Sequence, residues 1–220
     1  SKRLAEVFKE YEGYESVKDK IKVLNNIDEA INFMKSLLET PDSELLTMVF
    51  LASGDPMFFG IGRRIVNEFG KDAVEILPDM SSVQMAFARI KEPWDNVFMI
   101  SVHGGPDPNK RRDLKYEVKD IPFLLERHDK ISVLTDKVNN PSVIAREILD
   151  CSASRIPRPA CKMYVCEKLG YPDERIIEGT PDEVANMRFA EPNVVIIQNI
   201  SPTQPTPTRG DGKGGGGRLI

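Results

Sequence analysis

The chain is short of every feature that would send it across a membrane, out of the cell or onto a nucleic acid. No apolar run approaches the roughly 18 consecutive residues that span a bilayer, and no secretory signal opens it, so the cytoplasm is expected. Cysteine is scarce. Cys151, Cys161 and Cys166 are odd in number and irregular in spacing, which fits reduced thiols rather than a disulfide framework. Cys161-x-x-x-x-Cys166 lacks the second ligand pair of a zinc site, so no protein-held metal is expected. Basic residues are not in surplus: 30 Lys and Arg against 34 Asp and Glu leave a net charge of −4, which argues against a general nucleic-acid binder. The dinucleotide fingerprint Gly-x-Gly-x-x-Gly is missing, since Gly60-x-Gly62 is too short. No internal repeat is visible.

What is present is a soluble, mixed composition over 220 residues, 40% hydrophobic and 29% charged, enough for one large or two small domains. Residues 2–11 read as a short helix and 20–24 as a strand. Asn26-Ile-Asp-Glu29 is a capping-box variant ahead of Ile27, Ala30, Ile31, Met34, Leu37 and Leu38 at helical spacing. Residues 45–52 carry few polar interruptions, as a strand buried on both faces would. A helix over 60–69 ends at Gly70, a strand follows at 74–77, and a helix carries Val83, Ala86, Phe87 and Ile90 on one face. Residues 97–102 read as a strand ending at His103-Gly104-Gly105.

Residues 105–118 are polar and basic and read as a linker after an N-terminal α/β domain of 1–104. A C-terminal α/β domain of 119–200 follows, with a helix near 119–127 and strands at 130–134, 162–166 and 194–198. A helix follows Asn140-Pro141, and Thr180-Pro-Asp-Glu183 is a capping box with proline at the first helical position. Residues 201–220 are Pro/Thr- and then Gly-rich, a flexible tail. Strands alternating with helices imply α/β layers.

The junction at Ser53-Gly-Asp-Pro56, where an apolar run turns into a glycine-punctuated helix entry, is the kind of strand end at which α/β proteins bind small ligands. It also reads as an ordinary turn. Taken in order, Ser53-Gly-Asp-Pro-Met-Phe-Phe-Gly-Ile-Gly62, Pro78-Asp-Met-Ser-Ser-Val-Gln84, Pro93-Trp-Asp95, Ser101-Val-His-Gly104, Val133-Leu-Thr-Asp136 with Asn140-Pro141, and Tyr164-Val-Cys-Glu-Lys-Leu-Gly170 resemble the tetrapyrrole methylases. Within that family they are most similar to the branch that methylates carbon 5 of a cobalt-precorrin in cobalamin biosynthesis. The resemblance covers residues 1–199.

The resemblance implies a two-domain fold with S-adenosyl-L-methionine (SAM) in the cleft between the domains, and a homodimer. It implies cofactor contacts from Gly54, Asp55, Phe58, Ser81, Ser82, Leu134, Thr135 and Glu167, with Glu167 near the adenosine. Asp79 stands where the family carries a glycine that allows φ > 0. The family opens with a strand and a Gly-x-Gly-Pro-Gly loop, and that unit is missing from this N-terminus. It is either lost or supplied by a rearranged chain, since Arg218-Leu-Ile220 resembles its opening.

Methyl transfer from a sulfonium is an in-line displacement in which positioning supplies most of the catalysis, up to roughly 7–11 kcal/mol of barrier. A tetrapyrrole edged with carboxylates calls for arginine forks. Arg63, Arg111, Arg112 and Arg155 are the substrate-binding candidates, with Arg64 and Arg158 behind them. His103 is the catalytic candidate, as a base or a substrate contact, against a plain strand-end histidine. Any cobalt arrives with the substrate. Some members of the family carry a second unit acting on carbon 15 with decarboxylation, so a separate partner protein is expected for that step. The competing readings are methylation of another tetrapyrrole position or of a diphthamide-type protein side chain, and a non-catalytic fragment of the fold. No nucleic acid and no membrane partner is expected.

Overall fold

The computed structural model describes residues 2–24, 26–40, 47–104, 114–150 and 160–200. The chain divides into two compact units, Ser1–Gln84 and Met85–Ile220.

In the first unit, α1 (Lys2–Phe8) and α2 (Tyr14–Val17) precede a 3-10 turn at Lys18–Lys20. Helix α3 (Ile27–Leu38) starts where expected: Asn26 is extended and its side chain accepts the Asp28 N–H at 2.8 Å, satisfying one of the orphan donors of the first turn. Ala30 and Ile31 are its buried face. Helix α4 (Gly62–Phe69) buries Ile65 and stops at Gly70, whose φ of +86° an L side chain resists. Lys35–Glu68 at 2.7 Å and Arg64–Asp28 tie the two helices at their surfaces.

The strands expected at 20–24 and 74–77, and the described part of 45–52, pair with nothing among the described residues. They run as irregular segments, and Lys20 falls in the 3-10 turn. Val49 is 79% and Leu77 74% exposed. An apolar run is competent for a strand, but only a neighbour's N–H and C=O groups make it one.

The second unit is a five-stranded sheet in the order β1-β2-β5-β3-β4. Its strands are β1 (Phe98–Ser101), β2 (Lys130–Leu134), β3 (Cys161–Glu167), β4 (Arg175–Gly179) and β5 (Asn193–Asn199). β1 and β2 are parallel, and the remaining pairs are antiparallel. The helices are α5 (Ser82–Ile90), which begins in the last residues of the first unit, α6 (Ile121–Leu125), α7 (Pro141–Asp150) and α8 (Pro181–Val184). Strand alternation sorts the faces. Ile100, Ile131, Val133, Met163, Val165, Val195 and Ile197 meet Ile121, Leu125, Ile144, Ile148 and Val184 in one core, each almost wholly buried. Each such side chain contributes about 1.5–3 kcal/mol. On the other face, Lys130 donates to Glu92 and to the Pro93 carbonyl, and Arg89 of α5 grips Glu174 at 2.5 Å.

Two features of this unit bear on the sequence reading. β1, assigned there to the first domain, is hydrogen-bonded into the second unit's sheet. Parallel neighbours require a crossover of a dozen residues or more, and α6 lies between the two strands in the chain; residues 105–113 of the expected linker lie outside the described residues. β4 was not foreseen, because an edge strand with a half-exposed Arg-Ile-Ile-Glu-Gly run carries little hydrophobic signal. The tail from 201 onward lies outside the described residues.

Candidate functional site

The candidate residues fall into one set in each unit. In the first, Gly54 adopts φ +66°, and a Cβ there would stand 3.3 Å from the Met80 carbonyl oxygen and 3.9 Å from Ser81 Cα. Glycine thus lets the 53–55 loop lie directly against the 80–81 loop. Asp55 shapes the turn that follows: its Oδ1 accepts the Met57 N–H at 2.8 Å, while its carbonyl accepts the Phe58 N–H at 3.2 Å. A Cβ on Gly60 would sit 2.4 Å from the Pro56 carbonyl oxygen, so the loop tolerates no side chain there. Phe58 is half-buried and stands edge-on to Phe59 at 5.0 Å.

Ser81 is buried and caps α5. Its hydroxyl accepts the Gln84 N–H at 3.2 Å while Gln84 Oε1 accepts the Ser81 N–H at 2.9 Å. Ser82 is exposed at the first position of the helix. Asp79 is not among the residues with positive φ, so the family's glycine position makes no conformational demand that this aspartate fails to meet. Arg63 is exposed on α4.

The second set lies along one edge of the sheet. The parallel β1 and β2 deliver His103, Leu134 and Thr135 from their carboxyl ends. β3 runs the same way and delivers Glu167, and the antiparallel β5 and β4 begin there with Asn193 and Arg175. His103 Nδ1 lies 3.3 Å from the Thr135 carbonyl oxygen and 4.0 Å from Asp136 Oδ2, and its side chain is 43% exposed. The Thr135 hydroxyl faces the carbonyl of Asn193 at 2.8 Å and its Oδ1 at 2.6 Å. Asp136 is buried. Its Oδ2 accepts the Gly104 N–H at 2.7 Å and its Oδ1 accepts those of Val138 and Asn139 at 2.9 and 2.8 Å. Asn139 Nδ2 donates to the Val102 carbonyl at 2.7 Å.

Glu167 is only 2% exposed and has a structural task. Oε1 accepts the Ala190 N–H at 2.5 Å and Oε2 accepts from Arg175 Nε at 2.6 Å, fastening the β3–β4 hairpin to the 188–190 segment. Beyond it, Lys168 and Gly170 take φ +48° and +80°. The Arg89 guanidinium and the Gly170 amide hold the Glu174 carboxyl below the ordinary range. Burial pushes the Cys166 thiol up to about 12, so it is no nucleophile.

The structure thus brings Gly54 and Ser81 together in one unit, and His103, Leu134, Thr135 and Glu167 onto one sheet edge in the other. Arg111, Arg112 and Arg155 lie outside the described residues. Sequence reasoning singled out Asp136 only as part of a motif, and passed over Asn139 and Asn193. The available signal was an aspartate just past a strand end, followed by Asn139-Asn140-Pro141, which reads as an Asx turn leading into a helix cap. The partners across the sheet leave no local trace.

Comparison with known proteins places this geometry. The chain is 33% identical over 150 residues to the cobalt-precorrin-7 C(5)-methyltransferase of Salmonella typhimurium, covering 68% of this chain and 65% of that one, so it spans just under two thirds of that relative's length. It is 30% identical over 142 residues to the precorrin-6Y C(5,15)-methyltransferase (decarboxylating) of Mycobacterium tuberculosis, covering 64% of this chain but 31% of the relative. The fold matches the uroporphyrin-III C-methyltransferase of Thermus thermophilus, solved with S-adenosylhomocysteine, with a TM-score of 0.55 at 22% identity over 81% of this chain and 75% of that one. The sequence model of the tetrapyrrole (corrin/porphyrin) methylases matches residues 2–185, and with the five-stranded mixed sheet it shows that the chain belongs to that family.

Proposed function

We propose that the protein is a SAM-dependent C-methyltransferase that acts on carbon 5 of a cobalt-precorrin, precorrin-7, in cobalamin biosynthesis. The observation that carries the reading is the 33% identity over 150 residues to a carbon-5 methyltransferase. What supports a binding loop in the first unit is close backbone packing: Gly54 lets its loop lie against the Met80 carbonyl and Ser81, and Gly60 lets the 55–60 turn close on the Pro56 carbonyl. When bound, SAM supplies an activated methyl group on a sulfonium. The candidates to hold it are Gly54, Asp55, Phe58, Ser81 and Ser82 in the first unit, and Leu134, Thr135 and Glu167 in the second. Ser81 and Glu167 act there through the loops they brace, because their polar atoms are already engaged: the Ser81 hydroxyl by the Gln84 N–H, and the Glu167 carboxylate by the Ala190 N–H and the Arg175 guanidinium.

On the substrate side, Arg63, Arg111, Arg112 and Arg155 would pair with the carboxylates of the tetrapyrrole. His103 is the catalytic residue of this reading. Its Nδ1 faces the Thr135 carbonyl, which can only accept, so Nδ1 carries the hydrogen and Nε2 of the neutral ring is the acceptor. The relative matched at 33% identity is named for carbon 5 alone, and in this reading the carbon-15 methylation and decarboxylation fall to a separate partner protein. A homodimer in the cytoplasm completes the reading. The burial of Cys161 and Cys166 as thiols suits a reducing compartment, and light scattering after gel filtration tests the dimer. Among the described residues no helix is long and apolar enough to cross a membrane.

Mass spectrometry of cobalt-precorrin-7 incubated with the protein and SAM tests the function. The expected result is the gain of one methyl group, located at carbon 5. Methylation at another carbon, or none while S-adenosylhomocysteine gives no heat in a calorimetric titration, would overturn it.

A further inference from the structure

We infer that Asp136 is a positioning residue that sets the orientation and tautomer of His103. For its kinetic consequence this rests on the carbon-5 reading above, but its geometry stands without it. Among the described residues the exits of β1 and β2 are joined by these contacts. Leu134 O accepts the Val102 N–H at 2.9 Å, and Val102 O accepts from Asn139 Nδ2 at 2.7 Å. Asp136 Oδ2 accepts the Gly104 N–H at 2.7 Å, and Thr135 O faces His103 Nδ1 at 3.3 Å. Asp136 is the hub, because its other oxygen closes the turn that presents Asn139.

The two carboxylate oxygens have separate tasks, and only a group with two acceptors performs both. An amide has one acceptor oxygen. In Asp136→Asn, whichever way the amide lies, its NH2 meets either the Gly104 N–H or the turn amides of Val138 and Asn139. The residue is 8% exposed, so water does not readily replace the lost partner. The 102–104 loop is then released at Gly104, one residue beyond His103. The ring also loses the carboxylate that stands 4.0 Å from Nδ1, on the same side as the Thr135 carbonyl. Both neighbours are acceptors, so together they hold the hydrogen on Nδ1 and keep Nε2 as the acceptor.

Long-range nitrogen–proton correlation spectra of the imidazoles, recorded on the full chain with neutral rings, test this directly. The chain has two histidines, and His103→Gln assigns the pair of signals. The expected wild-type pattern is Nδ1–H for His103, shifting toward Nε2–H in Asp136→Asn; an unchanged pattern in that variant overturns the inference. Should Asp136→Asn not fold, the wild-type spectrum decides alone: an Nε2–H pattern for His103 overturns the inference, since both neighbours of Nδ1 are acceptors. With methylation established, Asp136→Asn lowers kcat by about 10- to 100-fold with KM within about twofold. The double variant with His103→Gln then falls no further than His103→Gln alone. Independent, multiplying losses mean that Asp136 does not act through His103. A protein that methylates nothing defeats the functional reading, while the spectra still decide this one.

Discussion

Replacing Gly54 by alanine probes the loop contact on which the cofactor reading stands. The perturbation has two parts. At φ +66° an L residue is disfavoured by roughly 1–2 kcal/mol, and alanine recovers part of that, about 0.4–1 kcal/mol, by restricting the unfolded chain. The new Cβ would also stand 3.3 Å from the Met80 carbonyl oxygen, a backbone atom that yields only if the 80–81 loop moves by a few tenths of an ångström. The net cost is about 1–2 kcal/mol. It appears in one of two places. If both loops stay put, the strain is stored and the melting temperature falls by about 2–8 °C for a chain of this size. If they relax, stability is largely kept and S-adenosylhomocysteine binds about 5- to 30-fold more weakly. Scanning calorimetry and calorimetric titration on the same sample read both. Gly70→Ala is the control, since it is strained at φ +86° but meets nothing within 4 Å, so it should lose stability and keep affinity. A Gly54→Ala protein that melts and binds as wild type refutes both the strain and the site.

Ser132 in β2 is 1% exposed, and its hydroxyl finds no hydrogen-bond partner among the described residues, so Ser132→Ala removes an unpaid desolvation cost. It should stabilise the protein by about 1 kcal/mol in urea unfolding, and a loss of stability would mean that the hydroxyl has a partner. Glu174 is held below the ordinary carboxyl range by Arg89 and the Gly170 amide. A lowered folded pKa means stability that is present above the unfolded value, near the ordinary 4.5, and is lost as pH falls through the folded one. Melting curves taken downward from pH 7 should therefore fall less steeply below that value in Glu174→Gln than in wild type, and parallel slopes would refute the assignment.

Much of this molecule was legible locally. Asn26 and Thr180 cap helices because a short polar side chain ahead of an apolar periodic run can satisfy first-turn amides without help from elsewhere. Gly70 ends its helix for an equally local reason. The run Lys130–Leu134 announced a strand and is one, almost wholly buried. The residues expected at the candidate site were found from motif order, and two groups of them do converge, Gly54 with Ser81 and His103 with Thr135. Arg111, Arg112 and Arg155 lie outside the described residues.

The sequence by itself determined the capped helix starts at Asn26 and Thr180, the helix stop at Gly70, the family and the glycine-limited bend at 54–62, because each depends on residues within a few positions of one another or on motifs in fixed order. Tertiary structure decided which apolar runs became strands. Residues 47–52 and 130–134 look alike on paper, yet among the described residues only the second finds a neighbour on each side. It also decided that β1 belongs with β2, that Glu167 spends both oxygens on Arg175 and Ala190, and that Asp136 reaches back 32 positions to Gly104. Hydrogen bonds that close long loops are chosen by where the sheet brings backbone groups within 3 Å of each other, and no local pattern of residues encodes that meeting.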